Sequence, residues 1–322
     1  MIFITDRLKD STAWINFPRL QTADDLEKYF DIRTRGHKEF FHYTSLRAID
    51  AILGSKTIRI SSSDRFNDKK DKEQFGTLLE QKRHYSLCFS TGLNENLSLW
   101  YLYSGVDGKG GRISLTYKKM MQFISVGAFF LTEYDYENNK SIGIKTQLKN
   151  GENMELVLHD ILYSHYARDG KYVDLKYNTM TNHGNISVEE YEKYKNHHSG
   201  FNKSLIWYYE KESRLLIKLI GDAAKAIDQN KDYAVLWELT DNQIKHMKIM
   251  CAPEIADKSE LDKYEHIKEF ILKTSRTSLS ENAGDIEMNI CSKCDYKEKF
   301  CSKCKNNNLG NNERSTENDK TN

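Results

Sequence analysis

Apolar and polar positions change period several times along the chain, and each change marks an element. EFFHY, from Glu39, alternates as a strand. Leu46, Ile49, Ile52 and Leu53 then recur at helical spacing, behind a cap at Thr44 or Ser45 and up to Gly54. KTIRIS returns to a period of two, SSDRFNDKKDKEQFG is polar and turn-rich, and HYSLCFS, His84 to Ser90, reads as a buried strand. A short helix carrying Leu97, Trp100, Tyr101 and Tyr103 follows the loop TGLNEN, and SGVDGKGG leads into the strand GRISLTY. Those glycines match neither the Rossmann nor the P-loop spacing, so a hairpin-type turn is expected there. From about Met120 to Ser204 the signals are mixed. YAVLWEL and QIKHMKIMC are strand candidates, and Leu261, Tyr264, Ile267, Ile271 and Leu272 make a helical stripe over SELDKYEHIKEFILKTSR. Near the start, Thr22 is a candidate N-cap for ADDLEKYF. This irregular alternation favours an α+β fold, with mixed, mainly antiparallel sheets and flanking helices, over a doubly wound sheet.

The stretch WYYEKESRLLIKLI, Trp207 to Ile220, sets charges where apolar residues are expected. As a strand, Glu210, Glu212 and Arg214 share one face, and Tyr209, Leu215, Ile217 and Leu219 the other. As a helix, Leu205, Tyr208, Tyr209, Leu215, Leu216 and Leu219 form the apolar stripe, with Glu212 in its middle. In both readings Glu212 is costly unless paired, and Arg214 is the nearest group to keep it ionised. A structural ion pair and a catalytic carboxylate fit this spacing alike.

The 322 residues suffice for one large domain or two ordinary ones, and Lys+Arg 48 against Asp+Glu 47 leaves the chain near neutral. No global field steers it to nucleic acid or anionic lipid, so any such contact is local. The chain shows no apolar run of about 18 residues and no secretory leader at Met1, which points to a cytoplasmic protein with no membrane partner. Cys88 and Cys251 stand alone in apolar runs, without cationic or helix-start neighbours, and are expected in the core.

The segment CSKCDYKEKFCSKC carries two C-x-x-C pairs separated by six residues. Cys291, Cys294, Cys301 and Cys304 suit Zn²⁺ in a closed, structural tetrahedral site; an iron–sulfur cluster and redox disulfides are the alternatives. Lys293, Lys297, Lys299, Lys303 and Lys305 partly offset the charge of a tetrathiolate zinc centre and are also suited to touch phosphates. After Lys305 only Leu309 is apolar, so disorder is expected. The expected organisation is an N-terminal helical extension (1–38), a main α+β domain (39–285), a zinc knuckle (286–306) and a disordered tail (307–322).

Four segments together resemble a bacterial family, the domain-of-unknown-function 2971 family. They are FHYTS with AIL, IRIS and Phe66-Asn67-Asp68; Cys88-Phe89-Ser90 with Leu99-Trp100 and Tyr103; Lys203, Trp207, Glu210, Glu212 and Arg214; and the strand ending near Cys251 with Pro253. The chain departs from that pattern at Lys69, Leu99 and Leu102, where proline, methionine and histidine are usual. Related-looking proteins are associated with phage defence, which the resemblance implies here. A more distant resemblance is to ADP-ribosyltransferase toxins that modify nucleic acid, through His42, Thr44, Ile52, Leu53 and Gly54 at the opening and Glu212 or Glu210 late in the chain. It implies NAD as substrate and a catalytic carboxylate stabilising an oxocarbenium-like centre. It further implies His42 and Thr44 holding NAD, Tyr85 or Tyr103 stacking on nicotinamide, and Arg65 or Arg214 meeting the pyrophosphate. The partner is then a macromolecular target, protein or nucleic acid, and a regulatory partner protein suits such a setting. A non-catalytic recognition module of the same fold is a second reading. A metal-dependent nuclease using Asp64, Asp68, Glu210 and Glu212 is a third, which lacks the usual lysine two residues after Glu210.

Overall fold

A computed structural model describes residues 21–91, 96–103, 109–167, 170–176, 183–252 and 258–267. Cys291, Cys294, Cys301 and Cys304, the 307–322 tail, and Ile271 and Leu272 of the expected late helix lie outside the described residues.

Thr22 starts α1 (Ala23–Gly36): its hydroxyl accepts from the Asp25 N–H, and the Asp25 carboxylate accepts from the Thr22 N–H. β1 (Glu39–Ser45) leads into α2 (Leu46–Ser55), capped by Ser45, and then β2 (Thr57–Ser62). Lys56, left-handed at φ 53°, ends α2 in place of Gly54, which sits inside the last turn. A Cβ at Gly54 would lie 2.4 Å from the His266 ring, so a larger residue there displaces that ring. α3 (Lys69–Glu73) and α4 (Leu78–Arg83) occupy the polar segment before β3 (His84–Ser90), α5 (Leu97–Tyr103) and β4 (Gly110–Thr116).

The stretch with mixed signals resolves into α6 (Tyr117–Val126), β5 (Ala128–Asp135), β6 (Lys140–Ser141), β7 (Thr146–Leu148), β8 (Met154–Asp160), β9 (Leu162–Tyr166), β10 (Tyr172–Lys176), β11 (His183–Ser187), α7 (Val188–His197) and β12 (Asn202–Ser204). β13 (Glu212–Leu219), α8 (Gly221–Lys225), β14 (Tyr233–Glu238), α9 (Asp241–Lys245) and β15 (Lys248–Cys251) follow. QIKHMKIMC is therefore not one strand. Gln243 closes a capping box with Thr240, which makes the first half helical.

The fold is α+β. Every strand pairing is antiparallel except that of β12 with β9. An 11-stranded sheet branches at β3, whose one edge pairs with β13 along its length. Its other edge meets β1 at Ser90 and β2 at Ser86 and Tyr85. β1 continues to β4 and β15, and β2 to β14 and β5, so the sheet splits beside Cys88.

Strand alternation gives this sheet two different faces. Phe40, Tyr85, Leu87, Phe89, Leu215 and Ile217 join Val235 and Trp237 in the main core under α2 and α6. On the other face, Phe41 and Tyr43 pack with Leu99 and Trp100 of α5, and Cys88, Glu212 and Arg214 stand alongside. A 4-stranded sheet, in the order β11-β10-β9-β12, builds a second core with α1 and α7 around Leu26, Phe30, Leu162, Val173 and Tyr194. No described helix is long and apolar enough to cross a membrane.

Candidate functional site

The two glutamates come together because the chain reverses between them. A 3-10 turn over Leu205–Glu210 ends on Lys211, left-handed at φ 46°, whose N–H donates to the Tyr208 carbonyl. The strand therefore begins at Glu212, and only Glu212 and Arg214 share its face; Glu210 and Tyr209 belong to the turn. β12 places Lys203 between the carboxylates, its Nζ 2.5 Å from Glu210 Oε2 and 3.1 Å from Glu212 Oε2. Tyr103 Oη donates to Glu210 Oε1 at 3.1 Å.

Arg214 fixes Glu212 from the other side. Its Nε donates to Glu212 Oε1 at 2.5 Å, and its two terminal nitrogens bind both oxygens of Asp71 on α3 at 2.8 and 2.5 Å. The Gly200 carbonyl accepts a further bond from Arg214 at 2.8 Å. Gly200 has φ 87°, and a Cβ there would approach the Phe75 ring to 2.4 Å, so only glycine presents this carbonyl. The Tyr163 hydroxyl accepts from the Glu212 N–H at 2.8 Å, and Cys88 pairs with Arg214 across β3 and β13, on the face that carries Glu212.

These contacts drive the two carboxyls apart. Burial pushes Glu212 up, but the Arg214 guanidinium and Lys203 ammonium outweigh it and hold the group far below the usual carboxylate range. At Glu210, burial and the Glu212 charge prevail over Lys203, and the pKa is raised. One carboxylate is permanently charged, and its neighbour takes a proton more readily than an ordinary glutamate. Lys203 is raised, because Glu212 and then Glu210 outweigh its burial.

Cys88 is exposed rather than in the core as its apolar run suggests, because the split in the sheet leaves it uncovered. The residue is exposed, yet protein crowds its thiol closely enough that burial, then the Glu212 charge, push the thiol well above its ordinary pKa. Cys88 forms an accessible floor beside Glu212.

The structure brings Glu210, Glu212, Arg214 and Tyr103 together and places the other expected residues elsewhere. His42 lies on the Phe89 side of the sheet, with ring centroids 6.0 Å apart, and its Nδ1–H donates to the Cys88 carbonyl at 2.9 Å. His42 and Glu212 thus lie on opposite faces of β3. Burial lowers the His42 pKa against its bond to Cys88, favouring the neutral ring. Thr44 pairs with Gly111 on the same side as His42, and Tyr85 is buried in the main core. Arg65 stacks 3.5 Å from the Tyr136 ring centroid and pairs with Asp232 at 2.5 Å, where it lines an open depression of about 470 Å³ with Asp135 and Glu137. Asp64 accepts from Ser62 and Asp68 caps α3, so neither joins the glutamates. Among the described residues, no group of three or more His, Cys, Asp and Glu is placed to hold a metal.

Sequence reasoning gave no role to Lys203, Asp71, Tyr163 or Asp160. Asp71 hides in the charged run KKDKE, and Lys203 has no local mark beyond its place in the family pattern. Asp160 forms ion pairs with Arg33 Nε at 2.9 Å and His37 Nε2 at 2.7 Å, and accepts from the Ser213 hydroxyl. Burial opposes ionisation there, but His37 and Arg33 hold Asp160 far below its usual range. This clamp ties α1 to β13 next to Glu212. Comparison with known proteins gives no match: no family model, no curated protein and no solved structure matches this chain.

Proposed function

We propose that the chain is an ADP-ribosyltransferase-like enzyme that uses NAD to modify a macromolecule, with Glu212 and Glu210 as its catalytic carboxylates. The observation that carries this reading is the divergence of two buried carboxylates around one ammonium, beside an exposed floor at Cys88. Cleaving a nicotinamide–ribose bond builds positive charge on the ribose, and a fixed carboxylate stabilises it without reorganising. In the proposed step nicotinamide leaves with the bonding electrons. Glu212 supports the oxocarbenium-like centre, a hydroxyl or amide of the target attacks the ribose carbon, and Glu210 takes its proton. NAD as donor and a phage-defence setting come from the family resemblances, and His42 and Thr44, across β3 from Glu212, do not hold NAD in this proposal. Cys291, Cys294, Cys301 and Cys304 hold one structural Zn²⁺ in this proposal.

The test is transfer of adenylate-labelled NAD to cell extract by the full chain. Glu212→Gln is expected to keep the fold and the NAD-induced rise in melting temperature while losing transfer. Full transfer by both Glu212→Gln and Glu210→Gln rejects the carboxylate pair as catalytic.

A different observation favours a recognition module. Tyr101 and Ile206, 73% and 74% exposed, stand on neighbouring α5 and the Leu205–Glu210 turn, while both oxygens of the Glu212 carboxylate are engaged by Arg214 and Lys203. Absence of any NAD-dependent melting shift, with a target retained through Tyr101 and Ile206, selects that reading.

A further inference from the structure

We infer that Arg112 is the anion-binding residue of this site, taking phosphate oxygens of a nucleotide diphosphate. Arg65 and Arg214, the guanidiniums expected to meet a pyrophosphate, are each already held by a carboxylate. Arg112, on β4, is only 7% exposed. Its Cζ lies 4.3 Å from the Phe41 ring centroid and 5.7 Å from that of Tyr43. One terminal nitrogen donates to Tyr43 Oη at 3.3 Å and the other to Met250 Sδ at 3.3 Å, while Nε has no partner. No carboxylate among the described residues pairs with it. The other buried cations, Arg33, Lys82 and Arg214, each have a carboxylate within 3.2 Å.

A guanidinium has five donors and no acceptor, and burying one without an anion is costly. Aromatic faces compensate part of that cost, and a bound anion supplies the rest. The neighbourhood gives the anion its identity. Arg112 stands opposite Tyr43, on the sheet face that also carries Cys88 and Glu212. A diphosphate on Arg112 therefore lies on the sheet face that carries Cys88 and Glu212. The nucleotide identity rests on the transferase reading; the anion site rests on Arg112 itself.

Calorimetric titration of the full chain with ADP-ribose, and separately with inorganic pyrophosphate, tests this. Arg112→Met is expected to weaken ADP-ribose binding ~10-fold or more, by loss of charge-assisted hydrogen bonds. If Arg112→Met fails to fold, Arg112→Lys keeps the charge and loses the planar fork, and several-fold weaker binding is expected. Wild-type protein that binds neither ligand, or a folded Arg112 variant with wild-type affinity, overturns the inference. Arg112-dependent binding without label transfer from NAD sinks the transferase reading alone. Label transfer with an unchanged KM for NAD in Arg112→Met sinks the Arg112 assignment alone.

Discussion

Replacing Lys203 by methionine removes the ammonium shared by Glu210 and Glu212 and leaves an apolar chain of similar length in its place. Two charge-assisted bonds are lost, at 2.5 and 3.1 Å, in a pocket where Lys203 is 9% exposed and each glutamate 5%. Breaking a buried ion pair costs about 3–5 kcal/mol, and two bonds to a charged group give a similar sum. A loss of about 4 kcal/mol at neutral pH corresponds to a melting temperature lower by roughly 8–16 °C. The loss depends on pH with a definite sign. The folded pKa of Glu210 is raised above its ordinary 4.5, so its contribution is favourable below that value and is lost as pH rises through the folded pKa. Without Lys203 the folded pKa rises further, so the variant suffers most near pH 8 and recovers part of its stability near pH 5. Urea denaturation at both pH values, with a constant m-value, measures this. A loss below about 1 kcal/mol, or an equal loss at the two pH values, refutes the shared-ammonium geometry.

Cys88 is exposed but held as a thiol by burial and by Glu212, so wild-type alkylation at pH 8 is expected to be slow; Glu212→Gln should accelerate it, and peptide mapping after iodoacetamide reads the difference. Asp160→Asn leaves Arg33 buried without its partner and should cost about 3–5 kcal/mol at pH 7. Since the folded Asp160 pKa is depressed, that contribution is present above its ordinary 3.8 and lost as pH falls towards the folded value, so variant and wild type converge in acid denaturation. Metal analysis of the full chain is expected to give one zinc per molecule, and none in Cys291→Ser/Cys294→Ser.

Period changes in the sequence locate β1, α2, β2, β3, α5 and β4, because each is an uninterrupted run between polar or glycine-bearing stretches. They fail where tertiary geometry decides. Glu210 reads as the partner of Glu212 on one strand face, but a left-handed Lys211 separates them, and β12 reunites them through Lys203. The branching at β3 has no local signature, and it alone exposes Cys88 and sets His42 across the strand from Glu212. The Arg214–Glu212 contact was legible from a spacing of two on a strand. Asp71, 143 residues away from Arg214, was not.

We propose that the Glu210–Glu212 pair acts on a ribose. Release of nicotinamide from NAD by the full chain, followed by chromatography, tests it most directly. Wild type is expected to release nicotinamide, and Glu212→Gln to do so ~10²–10³-fold more slowly, the scale of losing one electrostatic stabiliser, with the NAD-induced melting shift retained. Nicotinamide release at the wild-type rate by folded Glu212→Gln, or no release and no NAD-induced shift in the wild type, contradicts it.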